Sequence, residues 1–214
     1  GSGAHRGGGL SPVRTSRPAY SENVVLMLSF MDFMRVCLAA VLLMSASSGA
    51  AQAWKIDYEG SRIGFVASYD SIQFEGLFKR WQGNISFDRT TPGSGAIQIN
   101  VDMASINTRS NDRDVGIRSE EWFDVAQFAE ATYRAGAIRA AGADTFEVDA
   151  TFSIKGQTHP LVSRFKWQED DDGARLLGQV KVDRRTFAIG TGDWANDPVI
   201  GFGVTITYDL VLRP

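Results

Sequence analysis

The chain has one cysteine, Cys37, and two histidines, His5 and His159, in 214 residues. If Cys37 is removed with a leader, disulfides, thiolate catalysis and Cys-ligated metals are excluded from what remains. His159 alone cannot form a His-rich metal site, and standing just before Pro160 it reads as a surface residue at the start of a strand. No G-x-S-x-G, H-E-x-x-H, phosphate-loop or dinucleotide-binding pattern occurs. The acidic run Asp170-Asp171-Asp172-Gly173 lacks the alternating ligands and final Glu of a calcium loop and reads as a solvated turn. Neither an internal repeat nor an apolar run long enough to cross a bilayer twice is present. Positive charge is not in excess either, since the net charge is −3, and an acidic chain is a poor partner for nucleic acid.

What is present begins with a compositional boundary. Residues 1 to 30 open on Gly, Ser and Arg without an initiating Met and read as an upstream or tag-derived disordered segment. From Met31, a short start carrying Arg35 leads to an apolar run, Val36 to Ala46, and then to small residues ending Ala51-Gln52-Ala53. Residues 31 to 53 therefore read as a secretory signal peptide cleaved after Ala53, which implies a periplasmic protein. The run is too short for an anchor, because spanning a bilayer takes about 20 apolar residues. Residues 54 to 214 then read as a single domain.

That domain alternates apolar and polar residues in segment after segment. Strands are expected at 62–78, 81–88, 96–103, 131–139, 146–155, 158–168, 175–183 and 201–212, nearly all with one apolar face. The stretch Ile72 to Asp88 reads as a hairpin with Lys79-Arg80 as its loop, so that Phe78 faces Trp81, Gly76 faces Gly83, Phe74 faces Ile85 and Ile72 faces Phe87. Between Ser105 and Phe128 the alternation is lost. Two short helices are expected there, one capped by Ser110 or Asn111 and one by Ser119 carrying Trp122 and Phe123, lying over an end of the sheet. Eight long one-faced strands with glycines at 76, 83 and 178 favour an all-β antiparallel barrel with short capping helices over a sandwich.

The inward faces are heavily aromatic. Phe65, Phe74, Phe78, Trp81, Phe87, Phe146, Phe152, Phe165, Trp167, Phe202 and Tyr208 share them with Ile85, Ile99, Val101 and Val204, and Trp122 and Phe123 lie in the cover. These seventeen side chains are the candidate ligand-binding set. From pattern alone, they either fill a core or line a cavity. The candidates for acid–base chemistry are Asp112 with Asp114, Arg109 with Arg113, and Glu120 with Glu121, all in the cover, where charged residues are usually solvated. No catalytic or metal-ligating residue is assigned.

Several short motifs in order give the chain a family resemblance. They are the run Gly76 to Asp88 with Phe78, Trp81, Gly83, Ile85 and Phe87; Ser105-Ile106-x-Thr108; Arg113-Asp114; Trp122-Phe123-Asp124; Ile154-Lys155-Gly156-x-Thr158; and Asp183-Arg184-x-x-Phe187 with Gly190. Together they resemble the YceI-like family, exported bacterial proteins with a lipocalin-like eight-stranded barrel. Two departures are Phe187-Ala188, where the family usually has Phe-Gly, and Phe128-Ala129, near a family Tyr-Pro. The resemblance implies a bound long-chain isoprenoid or fatty lipid, of quinone or polyprenyl phosphate type, as the only cofactor-like ligand, and it brings no catalytic residue. Two alternatives stand beside lipid carriage: an enzyme acting on a lipid-like substrate through Asp112, Arg113 or Asp114 at the barrel mouth, and an accessory protein of a membrane redox partner, either of them compatible with a homodimer.

Overall fold

The computed structural model describes residues 51–196 and 198–214, together with Gly3 and Gly8. Almost all of the expected upstream segment and of the expected signal peptide lies outside the described residues. Ten strands follow in chain order: β1 (Ala53–Tyr69), β2 (Ile72–Phe78), β3 (Trp81–Ser86), β4 (Ala96–Asp102), β5 (Ile106–Asn107), β6 (Glu130–Ala140), β7 (Thr145–Ile154), β8 (Gln157–Asp170), β9 (Gly173–Asp183) and β10 (Gly203–Arg213). One α-helix, α1 (Asn111–Arg118), lies between β5 and β6. The ladders run β10-β9-β8-β7-β6-β4-β3-β1, and β1 pairs back with β10, so eight antiparallel strands close into a barrel. Closure leaves the ring without a free edge. The all-β barrel expected from the alternation is the fold.

The stretch from Ile72 to Asp88 departs from expectation. No ladder joins β2 to β3. They follow one another along the same edge of β1, β2 beside residues 64–69 and β3 beside Ala53 and Trp54. The three-residue jump in apolar phase from Phe78 to Trp81 is absorbed by a break at Lys79-Arg80. There the Lys79 N–H donates to Ser105 O at 3.1 Å, the Arg80 N–H to Ser105 Oγ at 3.0 Å, and Arg80 O accepts from the Asp102 N–H at 3.1 Å. The backbone groups that a hairpin would use are thus satisfied by the β4–β5 connection. The hairpin turn is at Asp70-Ser71 instead, both in the left-handed region (φ 47° and 65°), with Tyr69 paired to Ile72. Two consecutive positive φ values match the right-handed twist of the flanking strands. Ile72, expected inside, stands 71% exposed beside that turn.

Two further differences have equally local causes. The weak pattern over 131–139 is a real strand whose register shifts between Ala135 and Ile138, so the buried face passes from Ala131 to Ile138 instead of keeping strict alternation. The second expected helix is a run of turns. Ser119 does not start it; its N–H donates to Gly116 O at the end of α1.

One end of the barrel is packed solid. Phe87 has no exposed surface, and its ring lies 4.8 Å from Phe146, 5.4 Å from Phe165 and 4.7 Å from Trp167. Trp54 meets Trp167 edge-on at 5.3 Å and donates its indole N–H to Phe87 O at 2.9 Å. Such ring pairs add to the area they bury. Leu212 and Val148 complete this floor.

Candidate functional site

Above the floor the inward positions enclose an open volume. Ile63, Phe65 and Ala67 on β1, Ile97, Ile99 and Val101 on β4, Val180 and Val182 on β9, and Val204, Ile206 and Leu210 on β10 surround a cavity of about 570 Å³. That lies within the roughly 300–1,000 Å³ usual for small-molecule sites. The charged side chains on its wall, among the described residues, are Asp112, Arg113 and Arg184, and all three come from the segments covering the mouth.

The cover is held by buried polar groups. Ser110 caps α1, its Oγ accepting from the Arg113 N–H at 3.4 Å. The Asp114 carboxylate, buried beneath the helix, accepts from the Thr108 N–H at 2.8 Å and from Thr108 Oγ1 at 2.6 Å. The Arg113 guanidinium donates to Thr108 Oγ1 and O, both at 2.9 Å, and lies 4.3 Å over the Phe74 ring. Arg118 ties the end of α1 to Ala104 O at 3.0 Å and Ile106 O at 2.9 Å. On the opposite side, Arg184 is only 2% exposed and donates to the carbonyls of Ile189, Gly190, Trp194 and Ile200 at 2.8 to 3.2 Å, fixing the connection between β9 and β10. The rings of Trp122 and Phe202 flank its guanidinium at 5.3 and 5.0 Å. Gly190 (φ 73°) has no room for a Cβ beside Arg184 Nη1. Lys155 reaches Ala188 O at 2.9 Å; desolvation pushes its pKa down, against the attraction of Asp124, Glu120 and Glu121.

Two tyrosines interrupt the apolar wall. Tyr133 Oη and Ser163 Oγ share a hydrogen bond at 2.9 Å, and Tyr208 Oη donates to Arg164 O at 2.8 Å. Burial raises the pKa of both phenols, and for Tyr208 the neighbouring Tyr133 adds to the rise.

Of the seventeen candidate side chains, eleven stand on the cavity wall: Phe65, Phe74, Phe78, Ile99, Val101, Trp122, Phe123, Phe152, Phe165, Val204 and Tyr208. Ile85, Phe87, Phe146 and Trp167 belong to the floor. Trp81 packs against Tyr58 with the ring centroids 4.8 Å apart and the planes tilted by 54°, and Phe202 lies against Arg184 and Arg185. Sequence reasoning passed over Tyr133 and Ser163, and it named Arg184 only within the motif Asp183-Arg184-x-x-Phe187, with no role in the site. Tyr133 was hidden by the shifted register of β6, whereas Ser163 carried a readable signal: a polar residue in phase with Leu161, Phe165 and Trp167. Among the described residues, no three His, Cys, Asp or Glu are grouped to hold a metal. Asp112 and Arg113 are on the wall and Asp114 is engaged with Thr108, so the acid–base candidates do not converge as a set.

Comparison with known proteins agrees with this geometry. The model of the YceI-like domain matches residues 54–212. A UPF0312 protein of Azotobacter vinelandii is 32% identical over 151 residues, covering 67% of this chain and 74% of that one. A Salmonella newport protein called YceI is 29% identical over 161 residues, covering 71% and 84%. Among solved structures, Burkholderia cenocepacia BcnA superposes with a TM-score of 0.72 at 24% identity, over 73% of this chain and 99% of that one. A domain from Saccharophagus degradans, described as polyisoprenoid binding and implicated in plant cell wall breakdown, gives 0.62 at 20% identity, over 76% and 98%. At these identities the structural likeness speaks for the fold.

Proposed function

The chain belongs to the YceI-like domain family, and from that premise we propose that it binds a long-chain isoprenoid or fatty lipid in the barrel cavity, carrying, storing or presenting it in the periplasm after export. The observation that carries the reading is the cavity itself, closed by an aromatic floor, walled by aliphatic and aromatic side chains and, among the described residues, charged only at its covered mouth. The name of the Saccharophagus domain supports the same ligand class. Burying an apolar chain contributes about 0.8 kcal/mol per CH₂, so ten carbons could supply roughly 8 kcal/mol before the costs of ordering. Periplasmic location is supported by the leader-like pattern of residues 31–53. Native mass spectrometry of protein purified without detergent tests the reading. Retained lipid, or uptake of added prenyl lipid by an empty barrel, is the expected result; a barrel that is empty and ignores added lipid would overturn it.

A further inference from the structure

Among the described residues, the largely apolar bore holds a polar cluster that belongs neither to the mouth nor to the ladders. Ser163 points inward from β8 and is 4% exposed. Tyr133 on β6 and Tyr208 on β10 lean towards it from the two sides. Tyr208 can do so because Gly178 on the intervening β9 has no side chain: a Cβ there would stand 2.6 Å from the Tyr208 hydroxyl. The β8–β9 ladder ends at Phe165 and Gly178, and the Tyr208 hydroxyl takes the Arg164 carbonyl just beyond that end, at 2.8 Å. Its proton is therefore committed. Tyr133 is in a different position. A hydroxyl offers one donor and two acceptor sites, and Tyr133 shares a single hydrogen bond, with Ser163, while standing on the cavity wall. When Ser163 donates, the phenol proton of Tyr133 is left for the cavity; when Tyr133 donates, its oxygen lone pairs are.

We infer that the cavity selects a lipid whose head carries a neutral carbonyl or hydroxyl oxygen, inserted head-first so that this oxygen meets Tyr133, with the tail running to the mouth. The inference rests on the lipid-binding reading above and narrows its ligand class. A phosphate head does not fit this depth. The cations on the cavity wall among the described residues, Arg113 and Arg184, stand in the cover. Burial also keeps both phenols protonated and uncharged, so nothing here would neutralise an anion.

Four probes with the same C20 prenyl tail separate the readings: the alcohol, a methyl ketone, the headless hydrocarbon and the monophosphate. Binding is read by tryptophan fluorescence on wild type, Tyr133→Phe and Ser163→Ala, the last retaining the phenol but removing its partner. Wild type is expected to prefer alcohol and ketone over hydrocarbon by about 5- to 10-fold, the worth of one buried neutral hydrogen bond. Tyr133→Phe should bring that ratio close to one. A nitroxide on the tail end of the alcohol should broaden the indole signals of Trp122 and Trp194 at the mouth. An unchanged ratio in Tyr133→Phe, no head preference in wild type, tightest binding of the phosphate, or a nitroxide that reports from the floor would each overturn the inference while leaving lipid binding standing. Failure of all four probes to bind would overturn both.

Discussion

Phe78 and Phe87 are both inward phenylalanines, yet replacing each by alanine should give different results. Phe87 is fully buried among Phe146, Phe165 and Trp167, so Phe87→Ala removes transfer energy and leaves a cavity that the rigid floor cannot close. A loss of about 3 to 5 kcal/mol is expected for such a change. Phe78 is half-buried, 6.0 Å from Phe65 and 6.3 Å from Phe123, with one face to the cavity. Phe78→Ala should cost about 1 to 2 kcal/mol because part of its surface was never removed from solvent or ligand. Its lipid preference should shift towards bulkier chains. Chemical denaturation of both variants checks the ranking, and equal losses would place Phe78 in packed core. Ala188 presents an opposite case. It adopts φ 52°, in the left-handed region that favours glycine. An L-residue costs about 1 to 2 kcal/mol in that region, whereas glycine gives back about 0.4 to 1 through the looser unfolded chain. Ala188→Gly should therefore stabilise by about 0.5 to 1 kcal/mol in the same measurement.

At the scale of elements, alternation located the strands, but register depended on groups that the alternation does not contain. The Phe78-to-Trp81 jump admits a hairpin or a broken strand, and what decides is Ser105, which supplies the acceptors at the break from 25 residues away. Asp70-Ser71 lacks the glycine that usually marks a two-residue turn, so the true hairpin gave little local signal. In β6 the bulge erased the pattern that would have put Tyr133 inside. On the outer face, by contrast, register can be tested through charge. Glu147 on β7 sits opposite Arg139 on β6 and Arg164 on β8, accepting from them at 2.5 and 2.6 Å, while Arg139 also reaches Asp149 at 2.5 Å. Hydrogen bonds from Arg164 and then Arg139 hold the Glu147 carboxyl below its ordinary range, and Arg139 does the same for Asp149. A carboxylate with a depressed folded pKa adds stability above its unfolded pKa and loses it as pH falls through the folded value. Melting temperature should accordingly drop below about pH 4.5. Glu147→Gln should flatten part of that drop by lowering the melt at neutral pH by the same amount, a small one because Arg139 and Arg164 are exposed. A profile identical to wild type would show that the network does not couple these strands.

For the whole molecule, the choice between filled core and open bore that the aromatic pattern leaves open becomes a division along the barrel axis. Floor and cavity are built from the same alternating strands. The difference is that three large aromatic rings converge on Phe87 at one end, with Trp54 packed on one of them, while at the other the wall is mostly aliphatic and the covering segments are anchored to backbone carbonyls by Arg118 and Arg184. A pair of substitutions of the same kind can therefore be assigned opposite outcomes. Val148 on β7 has no exposed surface and lies in the floor, so Val148→Phe must push rigid neighbours aside and should cost about 1 to 3 kcal/mol or more. Val204 on β10 faces the cavity, where an added ring meets empty volume, so Val204→Phe should leave the ligand-free melt nearly unchanged. Lipid that binds only the folded protein raises its stability by RT ln(1 + [L]/Kd), about 2.7 kcal/mol at a hundredfold excess over Kd. That increment should appear in wild type and shrink in Val204→Phe, which occupies the same space. Thermal melts of the three proteins with and without added prenyl alcohol measure both quantities. A Val204→Phe variant destabilised as much as Val148→Phe, with lipid making no difference to either, would mean that the bore is filled along its whole length.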